Sequence, residues 1–223
     1  LALSGAGLVV LALVVGPLGL LVHDRWGPLV RFDERVTRAA EHAVDTVPGL
    51  LVAARTVTYL GDPQLLTAGV VVAAVALFAA GRRRSALYLL VVRLGSQLLS
   101  TLIKSAVGRA RPRFTSPVAT AFGLSFPSGH ALASSAVWLA VAVVVLPLVP
   151  FRRLLVAGAV GIALLVSASR VLLGVHYLSD VTAGFLLGTG WTIACTYVFA
   201  LWRRDEGRPV EPYEEGLEPE LGR

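Results

Sequence analysis

The stretch from Ser169 to Asp180, SRVLLGVHYLSD, sets an arginine, a histidine and an aspartate beside a long apolar run. Ionisable groups at a membrane boundary are costly unless they have partners or chemistry to perform. His176 and Asp180 are four residues apart, so one helical turn would stack them on one face. A carboxylate against one imidazole nitrogen fixes the tautomer and leaves the other nitrogen's lone pair facing out, which makes a nucleophile or a base. Arg170, six residues before His176, is a planar cation suited to phosphate oxygens. The structural alternative for the same stretch is an interfacial ion pair that snorkels.

The elements that must position these residues are apolar helices. Of the 223 residues, 56% are hydrophobic, and the mean hydropathy is +0.74. Such a chain is too apolar for an ordinary soluble domain, and several runs are long enough to cross a bilayer. The sequence predicts an all-α polytopic membrane protein. Its six spans are Leu8–Val22, Gln64–Ala80, Ala86–Val107, a helix within Ser128–Leu148, Leu154–Leu173 and Val181–Trp202. A cleaved signal peptide is the rival reading of the first run, which lacks a basic start and a clear small-residue cleavage site. Between the first two spans, Arg31–Thr46 mixes charges with Val36, Ala40, Ala43, Val44 and Val47 at roughly helical spacing. That pattern predicts an amphipathic helix on the membrane surface, ended by Pro48 and followed by a short piece over Gly49–Leu60. Residues 1–203 read as one membrane domain and 204–223 as a polar, disordered tail.

Lys and Arg total 20 against 14 acids, a net charge of +6. The arginines sit at segment ends, so topology and lipid headgroups account for them better than nucleic acid does. With six spans, Arg82–Arg84, Arg152–Arg153 and Arg203–Arg204 share one face, expected to be cytoplasmic with both termini. The loop Gly108–Pro127 and the junction at His176 then share the outer face, with Arg109, Arg111, Arg113 and Arg170 against the usual bias. An exception confined to one spot points to an anionic ligand. The amphipathic segment is likewise expected to be extracytoplasmic. Cys195 is a lone cysteine in an apolar run, with no internal disulfide or metal cluster available to it, and reads as packing. With no methionine in the chain, the first residue is expected not to be the native start.

Three stretches are expected to meet at the outer face: Lys104-S-A-V-G-R-A-Arg111-Pro112, then Pro127-Ser128-Gly129-His130, then Ser169-Arg170 through His176 to Asp180. In these stretches the chain resembles the type 2 phosphatidic acid phosphatase superfamily, which includes bacterial membrane lipid phosphatases, glucose-6-phosphatase and the vanadium haloperoxidases. The family forms K-x6-R-P, P-S-G-H and S-R-x5-H-x3-D are all present, from Lys104 to Asp180. Leu178 stands where many members carry proline and changes no catalytic atom. The segment before Lys104 carries no diagnostic motif.

The resemblance implies an integral plasma-membrane phosphatase acting on a lipid phosphate or diphosphate, of the polyprenyl diphosphate, phosphatidate, phosphatidylglycerol phosphate or diacylglycerol diphosphate kind. His176 would attack phosphorus to give a phosphohistidine, with Asp180 orienting it. His130 would protonate the leaving oxygen and then activate water. Lys104, Arg111 and Arg170 would neutralise the phosphoryl oxygens, and Ser128 and Gly129 would offer backbone N–H groups at a helix start. His176 must be neutral while His130 is charged, so cations near the phosphate must offset the pull of Asp180. Neither metal nor other cofactor is implied, and the partners are the lipid phosphate and the bilayer. Oligomeric state is not legible.

Each residue also has a plain reading: a snorkelling Lys104, a loop stop at Arg111–Pro112, a helix cap at Ser128, a structural His130. Arg109 and Arg113 read as headgroup contacts or as extensions of the anion site. For Arg93 the alternatives are an internal pair or snorkelling, and a charge relay. Gly184 and Gly188 read as a close helix contact, Trp26 and Trp202 as interfacial anchors, Trp138 and Trp191 as packing. A non-catalytic anion or lipid carrier would need the cations but not the histidine pair. A vanadate-dependent haloperoxidase-like enzyme is disfavoured by the spans.

Overall fold

The computed structural model describes residues 15–112, 118–205 and 217, with 201–205 as helical backbone alone. Residues 8–14 of the predicted first span, Arg113, the Trp202 side chain and nearly all of the expected tail lie outside the described residues. Every regular element among the described residues is helical. They are α1 (15–23), α2 (Gly27–Thr46), α3 (Leu50–Thr58), α4 (Pro63–Ala79), α5 (Arg83–Val107), α6 (Gly129–Val145), α7 (Arg152–Leu172) and α8 (Leu178–Asp205), with short 3-10 turns at Tyr59–Gly61 and Leu146–Leu148.

Local chemistry sets where these helices start and stop. Asp62 caps α4, its Oδ1 accepting from the N–H of Gln64 at 2.9 Å and of Leu65 at 3.0 Å, with Pro63 at the first position. Gly108 ends α5 at φ 69°, a left-handed conformation that glycine takes without Cβ strain, and its N–H closes on Lys104 O. Ser128 caps α6, its Oγ accepting from Ala131 N at 3.4 Å.

Among the described residues four helices are long and apolar enough to cross a membrane: α5, α6 continued to Leu148, α7, and α8 over Leu178–Ala200. The α3 segment and α4 together form a further candidate, bent by 41° at Asp62. Helix α6 lies at the centre, packed against α5, α7 and α8. Outward positions such as Val72, Val75, Leu94, Leu98, Leu154, Leu165 and Val198 are exposed, the surface a lipid-facing bundle requires. Inside, Arg93 donates to Pro63 O at 2.9 Å and Gln97 Oε1 at 3.1 Å, the internal pair rather than a relay. Trp138 and Trp191 bond the carbonyls of Leu60 and Val92.

The α6–α8 contact depends on two glycines one turn apart. A Cβ at Gly184 would lie 2.6 Å from Ser128 O, and one at Gly188 would overlap Ser135 Oγ and Leu132 O. Bare backbone on α8 therefore brings its first turns against the start of α6, which is where the candidate residues sit.

Two boundaries differ from the sequence reading, with consequences for the site. Helix α8 begins at Leu178 rather than Val181, which puts Asp180 in its first turn. Helix α2 begins at Gly27, and its buried stripe is Asp33, Thr37, Ala40 and Val44. The expected face holds in part: Ala40 and Val44 are buried and Val36 and Ala43 partly so, but Val47 is half exposed, and the stripe through which α2 packs on α7 and α8 runs on through Thr37 and a carboxylate, Asp33. Periodicity of apolar residues could not reveal this, because Asp33 and Thr37 are polar.

Gly188→Val should force α8 off α6, at an overpacking cost of about 1–3 kcal/mol or more. The expected result is a thermal midpoint in detergent lower by on the order of 5 °C. Gly158→Ala, where a Cβ meets nothing within 4 Å, should leave the midpoint unchanged.

Candidate active site

Connectivity brings the C-terminal ends of α5 and α7 and the N-terminal ends of α6 and α8 to one end of the bundle. Helix C-termini favour cations and N-termini favour anions. Lys104 and Arg170 occupy the last turns of α5 and α7, and Asp180 the first turn of α8. The turns carrying Arg82–Arg84 and Arg152–Arg153 lie at the opposite end.

Asp180 is fully buried, and both its oxygens are occupied. Oδ1 accepts from Arg109 Nη1 at 2.7 Å. Oδ2 accepts from the N–H of Tyr177 at 2.9 Å and from Ser125 Oγ. The bond to Tyr177 is that of an acidic side chain at the third helical position reaching back over its own helix start. His176 is not on the helix at all, but in the turn before it. The pair therefore meets because Asp180 folds back, not by the helical stacking that the four-residue spacing predicts. His176 Nδ1 lies 3.5 Å from Asp180 Oδ2 and 3.4 Å from Ser125 Oγ.

The other imidazole nitrogen settles the tautomer. His176 Nε2 is 3.0 Å from Arg111 Nη1. A guanidinium only donates, so Nε2 is the acceptor and Nδ1 carries the proton toward Asp180 and Ser125. The imidazole is 2% exposed. Burial lowers its pKa to about 4; Asp180 pulls the other way, and Arg111 and Arg170 add to the lowering. Desolvation is thus the larger influence, ahead of the cations that the sequence reading made responsible. His176 is neutral at physiological pH.

Lys104, Arg111 and Arg170 have no carboxylate partner among the described residues. Lys104 Nζ donates to Leu124 O at 2.9 Å and Pro127 O at 2.8 Å. Arg111 is held by the carbonyls of Val175, Gly123 and Phe122 at 2.8–3.1 Å. Arg170 Nη1 donates to Thr58 Oγ1 at 2.8 Å, and its buried Nε has no acceptor among the described residues. Carbonyls and a hydroxyl orient these cations without neutralising them, which leaves their charge for an anion.

His130 follows Gly129 in the first turn of α6, where the first N–H groups lack intrahelical partners. Its Nε2 is 3.8 Å from Asp62 Oδ2, an ion pair when the ring is protonated. Asp62, the cap of α4, thus faces His130 at the start of α6. Ser128 is buried, and its N–H donates to Asp180 O at 3.0 Å, tying α6 to α8.

Several partners here were not named by the sequence. Ser125 bridges His176 and Asp180, Thr58 holds Arg170, Asp62 faces His130 and Asp33 meets Arg109. Arg109, read as a headgroup contact or an extension of the anion site, instead lies between two buried carboxylates, at 2.7 Å from Asp33 Oδ2 and from Asp180 Oδ1. Burial alone would lower its pKa, but the carboxylates outweigh it and the net shift is upward. Among the described residues no three His, Cys, Asp or Glu side chains group as metal ligands.

Known proteins share this arrangement of sequence and fold. Phosphatidylglycerophosphatase B of Bacillus subtilis is 32% identical over 160 residues, 70% of this chain and 77% of that one. Decaprenylphosphoryl-5-phosphoribose phosphatase of Mycobacterium tuberculosis is 32% identical over 170 residues, covering 71% and 85%. The crystal structure of a transmembrane PAP2-type phosphatidylglycerolphosphate phosphatase from Bacillus subtilis superimposes with a TM-score of 0.78 at 28% identity, over 91% of this chain and 97% of that one. The sequence model described as the PAP2 superfamily matches residues 85–204, which hold all three motif stretches. The chain belongs to the PAP2 superfamily.

Proposed function

We propose that this chain is an integral membrane phosphatase that hydrolyses a lipid phosphate or diphosphate through a phosphohistidine on His176, without a metal ion. The observation that carries the reading is the neutral His176 imidazole, its Nδ1–H turned to Asp180 and its Nε2 lone pair turned to Arg111 among cations with no carboxylate partner among the described residues. The names of the relatives support a phosphorylated lipid as substrate.

In the first half-reaction the phosphoryl group enters between Lys104, Arg111 and Arg170, and Arg111 exchanges its bond to Nε2 for one to a phosphoryl oxygen. The N–H groups opening α6 add donors to the same oxygens. Nε2 attacks phosphorus as the bond to the lipid oxygen breaks, and His130, protonated beside Asp62, gives that oxygen its proton. Asp180 stabilises the positive ring so formed. In the second half neutral His130 takes a proton from water, the oxygen attacks phosphorus, and the N–P bond breaks. Phosphate leaves and His176 returns to its starting tautomer. Cationic side chains supply the charge neutralisation that a divalent ion gives other phosphoryl-transfer sites.

A six-span topology with the site on the extracytoplasmic face of the plasma membrane, and both termini inside, fits the arginine-rich turns at the far end of the bundle. A site at the membrane boundary lets the lipid tail stay in the bilayer while the headgroup reacts.

Two measurements check this reading. Purified protein in detergent with chelator should release phosphate from at least one of phosphatidate, phosphatidylglycerol phosphate, diacylglycerol diphosphate and polyprenyl diphosphate. His176→Ala should lower that rate on the order of a thousandfold or more while keeping anion binding; a carrier would show binding in both proteins and release in neither. For topology, a cysteine at Thr120, an exposed position before Phe122, should react with an impermeant maleimide in intact cells, and labelling only after lysis contradicts the orientation.

A further inference from the structure

Asp33 takes no part in the steps above, yet it is fully buried on a helix whose other side is exposed. A buried carboxylate is costly unless its charge is paired and its oxygens are bonded. Oδ1 accepts from the N–H of Ser179 at 3.0 Å. Oδ2 accepts from Ser179 Oγ at 2.5 Å and from Arg109 Nη2 at 2.7 Å. The other arm of the same guanidinium reaches Asp180 Oδ1 at 2.7 Å and Ser179 Oγ at 2.6 Å. Its plane covers the Tyr177 ring, 4.0 Å from the centroid. One rigid fork thus spans two buried carboxylates, one of which holds His176.

We propose that Asp33 is a positioning residue for the His176–Asp180 pair. Through Arg109 and Ser179 it sets the orientation of Asp180, and through its charge it sets the proton affinity of His176. The proposal rests on the phosphatase reading for its kinetic consequences, though not for its geometry. The electrostatics give opposite signs for the two bridge members. Two carboxylates and one guanidinium leave a net negative charge behind His176. Neutralising Asp33 removes it, so the imidazolium forms less readily. Removing the Arg109 charge doubles it, so the imidazolium forms more readily. The remaining charges around the pair stay constant in these variants: Lys104 on α5, Arg111 in the loop, His130 on α6, Arg170 on α7, and Glu34, which acts on Tyr177 from α2.

The test compares wild type with Asp33→Asn, Arg109→Gln and the double variant in detergent. It reads kcat, KM and their pH dependence on the lipid that wild type hydrolyses, and the titration of His176 by nitrogen-15 NMR. Asp33→Asn should lower kcat on the order of 10- to 100-fold, with KM within about twofold. It should move the His176 titration to lower pH. Arg109→Gln should move the titration to higher pH, and the double variant should return toward wild type. Should Arg109→Gln fail to fold, Arg109→Lys keeps the charge and loses the fork, so kcat falls while the titration stays near wild type. A role limited to docking α2 would lower the thermal midpoint and the active fraction and leave the titration of the folded protein in place, which overturns the proposal. Shifts of the same sign in both single variants also overturn it. If wild type releases no phosphate from any substrate, the phosphatase reading falls, and the NMR titration still decides this inference.

Discussion

The candidate site depends on the satisfaction of one buried carboxylate. Asp180 has no access to water, so its charge depends on its neighbours, among them Arg109, Ser125 and the Tyr177 N–H. Those same partners leave it one direction in which to face His176. The ring's proton is therefore on Nδ1, and its lone pair is on Nε2 beside Arg111. Removing any of the supporting groups would loosen the carboxylate before it touched the histidine.

The helix arrangement makes that burial tolerable. Two helix C-termini deliver Lys104 and Arg170, and two N-termini deliver Ser128 and Asp180, so each charge sits at the end of the dipole that favours it. Glycines at 184 and 188 let α8 approach α6 closely enough for Ser128 N to bond Asp180 O. The cations gathered beside this junction are oriented by carbonyls and a hydroxyl, not by acids. Charge held in that way is pre-organised for an oxyanion, and little reorganisation is left to the moment of reaction.

Much of the fold was legible, because spanning helices are written in long apolar runs. The ends of α4 through α7 fall within a few residues of the expected boundaries, marked by Asp62-Pro63, Gly108 and Ser128. The motif residues are legible by type and spacing, since each is a chemically specific group at a fixed offset. What could not be read were the partners that hold them. Asp33 lies 76 residues from Arg109, and Ser125 lies 55 from Asp180, with nothing local to advertise either contact. The buried face of α2 was read only in part for a related reason: its inward stripe carries an aspartate and a threonine beside Ala40 and Val44, and an apolar pattern passes over both. The fold-back of Asp180 was hidden because a spacing of four fits both a helical face and a helix start.

The account's central claim is that Asp180 leaves a single imidazole nitrogen of His176 able to reach phosphorus. Rapid quench of the enzyme with phosphorus-32-labelled substrate, followed by peptide mapping, tests it directly. The account predicts an acid-labile, base-stable phosphopeptide containing His176, with phosphate on Nε2. Phosphate on Nδ1, phosphate on another residue, or turnover with no phosphoenzyme under conditions that trap one would contradict it.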